Sequence, residues 1–228
     1  MESSLFVFFS TLFAYNFQRL ARHKETIFNY DSERVVWIKS NRILIIIISS
    51  IGLLGALSFS FLIEFYQLMF IAIPGVVSIF YALGKWSLRN VPGTKIVWIG
   101  LVWAFSIGMV LFRQLPTSLL IFYMLGVFLY IISLCIPFDI RDMKVDDKNK
   151  KTIPQLLGKK KSIVLSTVLM LASHLIFFSL TRNWILSLSL ISGLVLLILS
   201  LKDRKELFYS GLIDGHIIFH SLIIILWQ

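Results

Sequence analysis

Hydrophobic positions along this chain gather into long runs separated by short charged stretches. Eight runs stand out: Leu5–Leu20, Ile43–Phe61, Phe65–Leu83, Lys95–Phe112, Ser118–Phe138, Ser162–Leu180, Trp184–Leu201 and Phe208–Trp227. A segment crosses a bilayer as a helix when it holds about 20 mostly apolar residues. Each run therefore predicts a membrane-spanning helix, and together they predict an all-α polytopic protein with one transmembrane domain over residues 1–228. The first run is the most interrupted, by Asn16, Gln18 and Arg19. Its start resembles the apolar part of a signal peptide, but it lacks a basic leader and an A-x-A cleavage pattern, and Glu2 is acidic. It reads as a span.

Composition agrees. The chain is 57% hydrophobic and 15% charged, with mean hydropathy +0.85, where soluble domains have roughly 45–50% and about 25%. Eight spans in 228 residues leave little chain for a soluble domain, which excludes an extramembrane enzyme on a tether. Cys135, the one cysteine, can form no internal disulfide.

Charge then gives a direction. The loops after the first, third, fifth and seventh runs hold 20 of the 22 Lys and Arg residues, leaving only Arg113 and Arg182 for the other side. By the positive-inside rule these four loops are cytoplasmic and both termini lie on the opposite side. The net charge of +10 thus sets topology and meets anionic lipids at the cytoplasmic loops. No recognition motif accompanies it, so no nucleic-acid partner is expected.

The polar chemistry concentrates in one loop. Asp139, Asp142, Asp146 and Asp147 fall within nine positions of PFDIRDMKVDDKNKKTIPQLLG. If the helix continues past Pro137, Asp139, Asp142 and Asp146 lie within about 60° of each other. Carboxylates at a helix C-terminus repel each other and meet the negative end of its dipole, so a positive partner is required. Mg²⁺ suits that role, because it is held by one or two carboxylates together with substrate phosphates. The alternative is a solvated loop neutralised by its own Lys and Arg.

The run DIRDMKVDDKNKKTIPQLLG resembles the second Asp-rich motif of the UbiA superfamily of intramembrane prenyltransferases. Asp142 and Asp146 match its D-x-x-x-D pair, Asp139 and Arg141 the residues before it, and Thr152, Pro154 and Gly158 its tail; Lys150–Lys151 replace the usual glycine before the threonine. Tyr81, followed by Lys85 and Arg89, resembles the family's tyrosine-then-cation element, with Ala82 where serine or threonine is common. The resemblance implies a helical bundle around a lipid-facing cavity. The eight runs would correspond to helices two through nine of the family's nine, with the first missing. The first family motif, N-D-x-x-D, is rewritten: Asn16 matches, but Phe17 and Leu20 stand at the aspartate positions, with Arg19 and Arg22 nearby. Arginine grips phosphate by paired hydrogen bonds.

What the resemblance implies is transfer of a prenyl chain from a prenyl diphosphate to a lipophilic acceptor, for which a quinone precursor is the family's commonest class. Asp142 and Asp146 would act with Mg²⁺, Asp139 would assist the metal, and Arg141, Arg19, Lys85, Arg89, Asn16 and Tyr81 would surround the diphosphate. The loss of the first motif points to a second reading: a catalytically degenerate member that binds isoprenoid lipid or serves as a structural subunit of a membrane complex. A transporter is disfavoured by the lack of an inverted repeat or paired broken helices. A CDP-alcohol phosphotransferase is excluded because its D-G-x-x-A-R element has no counterpart around Asp139–Asp147.

Other polar positions fall inside the runs. His216 and His220 have a spacing that can bind metal, although intramembrane histidines, His174 included, more often hydrogen-bond across helices. Glu64 is expected at the outer boundary, and Asp214 is the most costly charge by depth.

Overall fold

The structure, a computed structural model, describes residues 2–22, 33–82, 91, 93–143 and 152–226. All regular elements among these residues are helical, and each of the eight apolar runs coincides with a helix. Among the described residues four helices are long and apolar enough to cross a membrane: Arg42–Ser60, Thr117–Asp142, Lys159–Thr181 and Phe208–Ile225. Phe65–Ser78, Lys95–Leu111 and Leu186–Leu199 are apolar but shorter. Fourteen residues of α-helix extend about 21 Å, less than the hydrocarbon thickness of about 30 Å. The chain divides into two compact units, Met1–Leu88 and Arg89–Gln228.

The first unit holds α1 (Glu2–Arg22), α2 (Glu33–Ser40), α3 (Arg42–Ser60) and α4 (Phe65–Ala82). The apolar window of α3 is only 17% buried, and it exposes Ile43, Ile47, Ile51, Leu54 and Leu57. A helix apolar all round with most of its surface uncovered suits lipid as its solvent. Its small residues face α1. Gly52 lies against the backbone of Phe13, Gly55 against the Phe9 ring, and Phe9 stacks on Phe59. Small residues let membrane helices approach closely where dispersion is the main attraction. Polar ties join α1 to α4: Gln67 Nε2 donates to Ser3 Oγ at 3.1 Å and Gln18 Nε2 to the Ser78 carbonyl at 3.4 Å.

The second unit is built around α6 (Thr117–Asp142), packed between α5 (Lys95–Leu111) and α8 (Lys159–Thr181). The short α7 (Ile153–Leu157) precedes α8; α9 (Leu186–Leu199) follows it, and the chain closes with a π-helical turn at Phe208–Ile213 leading into α10 (Asp214–Leu226). The core includes Ile96, Ile132, Ile136, Met170, Phe177, Leu197 and Tyr209. The Gly126 Cα sits under the Phe177 ring, where a Cβ would lie 3.0 Å from the ring carbon.

The helix α6 does continue past Pro137, and its neighbour explains how. Proline has no N–H, so the Ser133 carbonyl four residues earlier loses its helical donor. Ser166 on α8 supplies one instead, its Oγ donating to the Ser133 carbonyl at 2.6 Å. Repair of a freed backbone group by a neighbouring helix is what permits proline inside membrane helices. Ser166→Ala is expected to lower stability by about 1–2 kcal/mol, with Ser166→Thr close to wild type. Thermal unfolding in detergent measures both.

Candidate functional site

The continuation of α6 carries Asp139, Arg141 and Asp142 to one end of the second unit. Asp139 is 2% exposed, and Lys95, the first residue of α5, reaches it with Nζ 2.5 Å from Oδ1. Both charges occupy the wrong end of their own helix: an anion near the C-terminus of α6, a cation at the N-terminus of α5. Each removes the other's penalty. The partner that the sequence reading required for this carboxylate is therefore a lysine on the adjacent helix.

Arg141 serves the second carboxylate. Its Nε donates to Asp142 Oδ1 at 2.7 Å and its second terminal nitrogen to Oδ2 at 3.2 Å, while its first terminal nitrogen donates to both Glu206 oxygens at 3.0 Å. The guanidinium lies 5.2 Å from the ring centres of both Phe138 and Tyr209, within range of cation–π attraction. Tyr209 belongs to the π-helical turn, a local widening common at functional sites. Lys159 at the start of α8 pairs with Asp203 at 3.2 Å. Thus the start of α5, the end of α6, the start of α8 and the segment Asp203–Glu206 share one end of this unit.

The tail of the motif has its own geometry. Thr152 starts α7, its N–H donating to Gln155 Oε1 at 2.9 Å, and Pro154 sits in the first turn, where no N–H is needed. The Gln155 amide nitrogen is buried without a hydrogen-bond partner. Gly158 has φ +80° and sends its N–H to the Pro154 carbonyl at 2.9 Å. That left-handed backbone ends α7 and opens α8, and it favours glycine.

Of the sequence-derived site residues, Asp139, Arg141 and Asp142 are brought together. Asp146, Lys85 and Arg89 lie outside the described residues. Asn16, Arg19 and Tyr81 belong to the helices α1 and α4 of the first unit. Asn16 is buried, and its Nδ2 donates to the Leu12 carbonyl of its own helix at 2.8 Å. Sequence reasoning overlooked Lys95, Glu206 and Tyr209. Lys95 had a visible signal, a lysine opening an apolar run on the same predicted side as the Asp-rich loop; Glu206 and Tyr209 had none.

Among the described residues no three of His, Cys, Asp and Glu form a group able to hold a metal ion. The chemistry open to Asp139 and Asp142 as carboxylates is cation binding, with Lys95 and Arg141 as the present occupants. His174, His216 and His220 hydrogen-bond across helices. Asp214 is exposed on the helix surface at the start of α10, and Glu64 is exposed in the turn between α3 and α4. Compared with known proteins, the chain matches no family model, no curated protein and no solved structure.

Proposed function

We propose that this chain is a UbiA-like integral membrane prenyltransferase whose diphosphate site is built on the end of α6. The supporting observation is the unbroken passage of α6 through Pro137, which sets Asp139 and Asp142 beside Lys95 and Arg141 at one helix end. In this reading the ion pairs are the resting state of the site. Asp142 and Asp146, with Asp139 assisting, would hold Mg²⁺ that arrives with a prenyl diphosphate, and Arg141 would contact the phosphates. The residues favour departure of the diphosphate by holding fixed positive charge where negative charge develops; bound Mg²⁺ adds Lewis-acid stabilisation. The eight runs all span the membrane, with the Asp-rich loop cytoplasmic and the acceptor a lipophilic molecule dissolved in the bilayer.

A second reading has its own support. Phe17 and Leu20 leave no carboxylate where the first family motif would carry two, and Asp139 and Asp142 already have cations. A degenerate member of the fold would keep these pairs permanently and hold isoprenoid lipid or a partner subunit. The double variant Asp142→Asn with Asp146→Asn separates the readings. The transferase reading expects it to fold and to lose all Mg²⁺-dependent binding of farnesyl diphosphate, measured by calorimetry on detergent-purified protein. Binding equal to wild type would remove these aspartates from the site.

A further inference from the structure

About 14 Å along α6 from Asp139, at a rise of 1.5 Å per residue, the second unit encloses a different polar cluster. Tyr130 on α6, His174 on α8, Ser189 on α9, and His216 and His220 on α10 are all buried. Its hydrogen-bond directions follow from the carbonyls, which only accept.

His216 Nε2 lies 3.0 Å from the Ser189 carbonyl, so this nitrogen carries the proton. It shares that proton with Ser192 Oγ at 3.1 Å, which itself donates to the Leu188 carbonyl. His216 Nδ1 is then bare and faces the Tyr130 hydroxyl at 2.6 Å, whose one hydrogen it shares with the His216 carbonyl at 3.0 Å. On His174, Nδ1 lies 2.9 Å from the Met170 carbonyl and is the protonated nitrogen. Its bare Nε2 accepts from Ser189 Oγ at 3.3 Å. That uses the only hydrogen on Ser189, so Ser189 accepts from His220, whose Nδ1 stands 2.9 Å away.

His220 is therefore neutral with its proton on Nδ1, and its Nε2 is a bare lone pair. That atom is buried with no hydrogen-bond partner. Reversing Ser189 would leave two groups unmade, His174 Nε2 and an N–H on His220. The lone pair sits in an aromatic setting: the His220 ring stacks on Tyr130 at 4.3 Å and meets Phe177 and His174 at 5.0 Å. An acceptor left unmade at such depth is costly. Metal is not its partner, because the protons on His216 Nε2 and His174 Nδ1 point to carbonyls and leave no three converging ligands among the described residues.

We propose that His220 Nε2 is the acceptor site for one O–H donor, either a buried water or the hydroxyl of a lipid-soluble alcohol. The chain of serine and histidine protons fixes the tautomer that keeps this acceptor bare. The site is independent of the aspartates.

The test uses the full chain, labelled with ¹⁵N-histidine, in lipid nanodiscs at neutral pH. Nitrogen NMR is expected to find the proton on Nδ1 of His174 and His220 and on Nε2 of His216, with His220 Nε2 bare and hydrogen-bonded. Magnetisation transfer from water to the His220 ring without additive assigns the donor to water. A saturable shift of His220 Nε2 on adding farnesol assigns it to a lipid-soluble alcohol. His220→Asn keeps an amide near the Ser189 hydroxyl but has no atom at the Nε2 position. It is expected to abolish the water contact or weaken the farnesol response by about tenfold or more, the share of one hydrogen bond. A proton on His220 Nε2, a free lone pair with neither donor present, or an unchanged response in His220→Asn overturns the proposal. If that variant does not fold, the tautomer and donor measurements on the wild type decide.

Discussion

Replacing Lys95 by methionine is expected to cost about 3–5 kcal/mol of stability, the range seen when one member of a buried pair is removed. The reason lies in Asp139. Its side chain is almost fully enclosed, whereas Lys95 keeps 18% of its side-chain surface exposed. Without the ammonium the carboxylate faces the C-terminal dipole of α6 in a poorly hydrated position, and it must either stay ionised at high cost or take up a proton. Lys95→Met combined with Asp139→Asn should recover most of the loss, because the second change removes the charge that Lys95 balances. Unfolding of the two single variants and the double variant gives the coupling directly. A Lys95→Met variant as stable as wild type would show that Asp139 does not depend on this pair.

The second large effect is expected in the first unit. A Cβ at Gly52 would lie 2.7 Å from the Phe13 nitrogen, 3.0 Å from its Cα and 3.1 Å from the Phe9 carbonyl oxygen. All three are backbone atoms, so no rotamer change relieves the contact, and α1 must move away from α3. Gly52→Val should therefore cost about 3 kcal/mol, the upper part of the usual overpacking range. Gly75 provides the control, since a Cβ there meets nothing within 4 Å. Gly75→Ala should cost nothing in packing and gain up to about 1 kcal/mol in helix propensity. Equal effects at the two positions, read by denaturation in the same detergent, would contradict the packing of α1 on α3.

Most of the helical architecture is legible in the sequence, because a backbone in lipid must satisfy its own hydrogen bonds and long apolar runs leave it only the helix. The separate helix Glu33–Ser40 and the single turn Ile153–Leu157 are not legible in this way: both are short, and neither is a long apolar run. The π-helical turn at Phe208–Ile213 has no hydropathy signature either. The passage of α6 through Pro137 depends on Ser166, which lies 33 residues from the carbonyl it repairs. Helical periodicity placed Asp139 and Asp142 near one another, and the structure keeps both at the end of α6. Periodicity could not assign their partners, since Lys95 and Glu206 come from other elements and meet α6 only by packing. The histidines show the same limit. The i, i+4 spacing of His216 and His220 suggests paired ligands, but Ser189, Ser192 and Tyr130 from other helices turn the rings toward separate partners.

On the proposed function, the end of α6 receives a prenyl diphosphate through Mg²⁺. Equilibrium binding of farnesyl diphosphate to the detergent-purified wild-type protein, first with Mg²⁺ and then with EDTA, tests it most directly. Saturable binding with Mg²⁺ that EDTA removes is the expected result. Absence of binding in both conditions, or binding unaffected by EDTA, would contradict it.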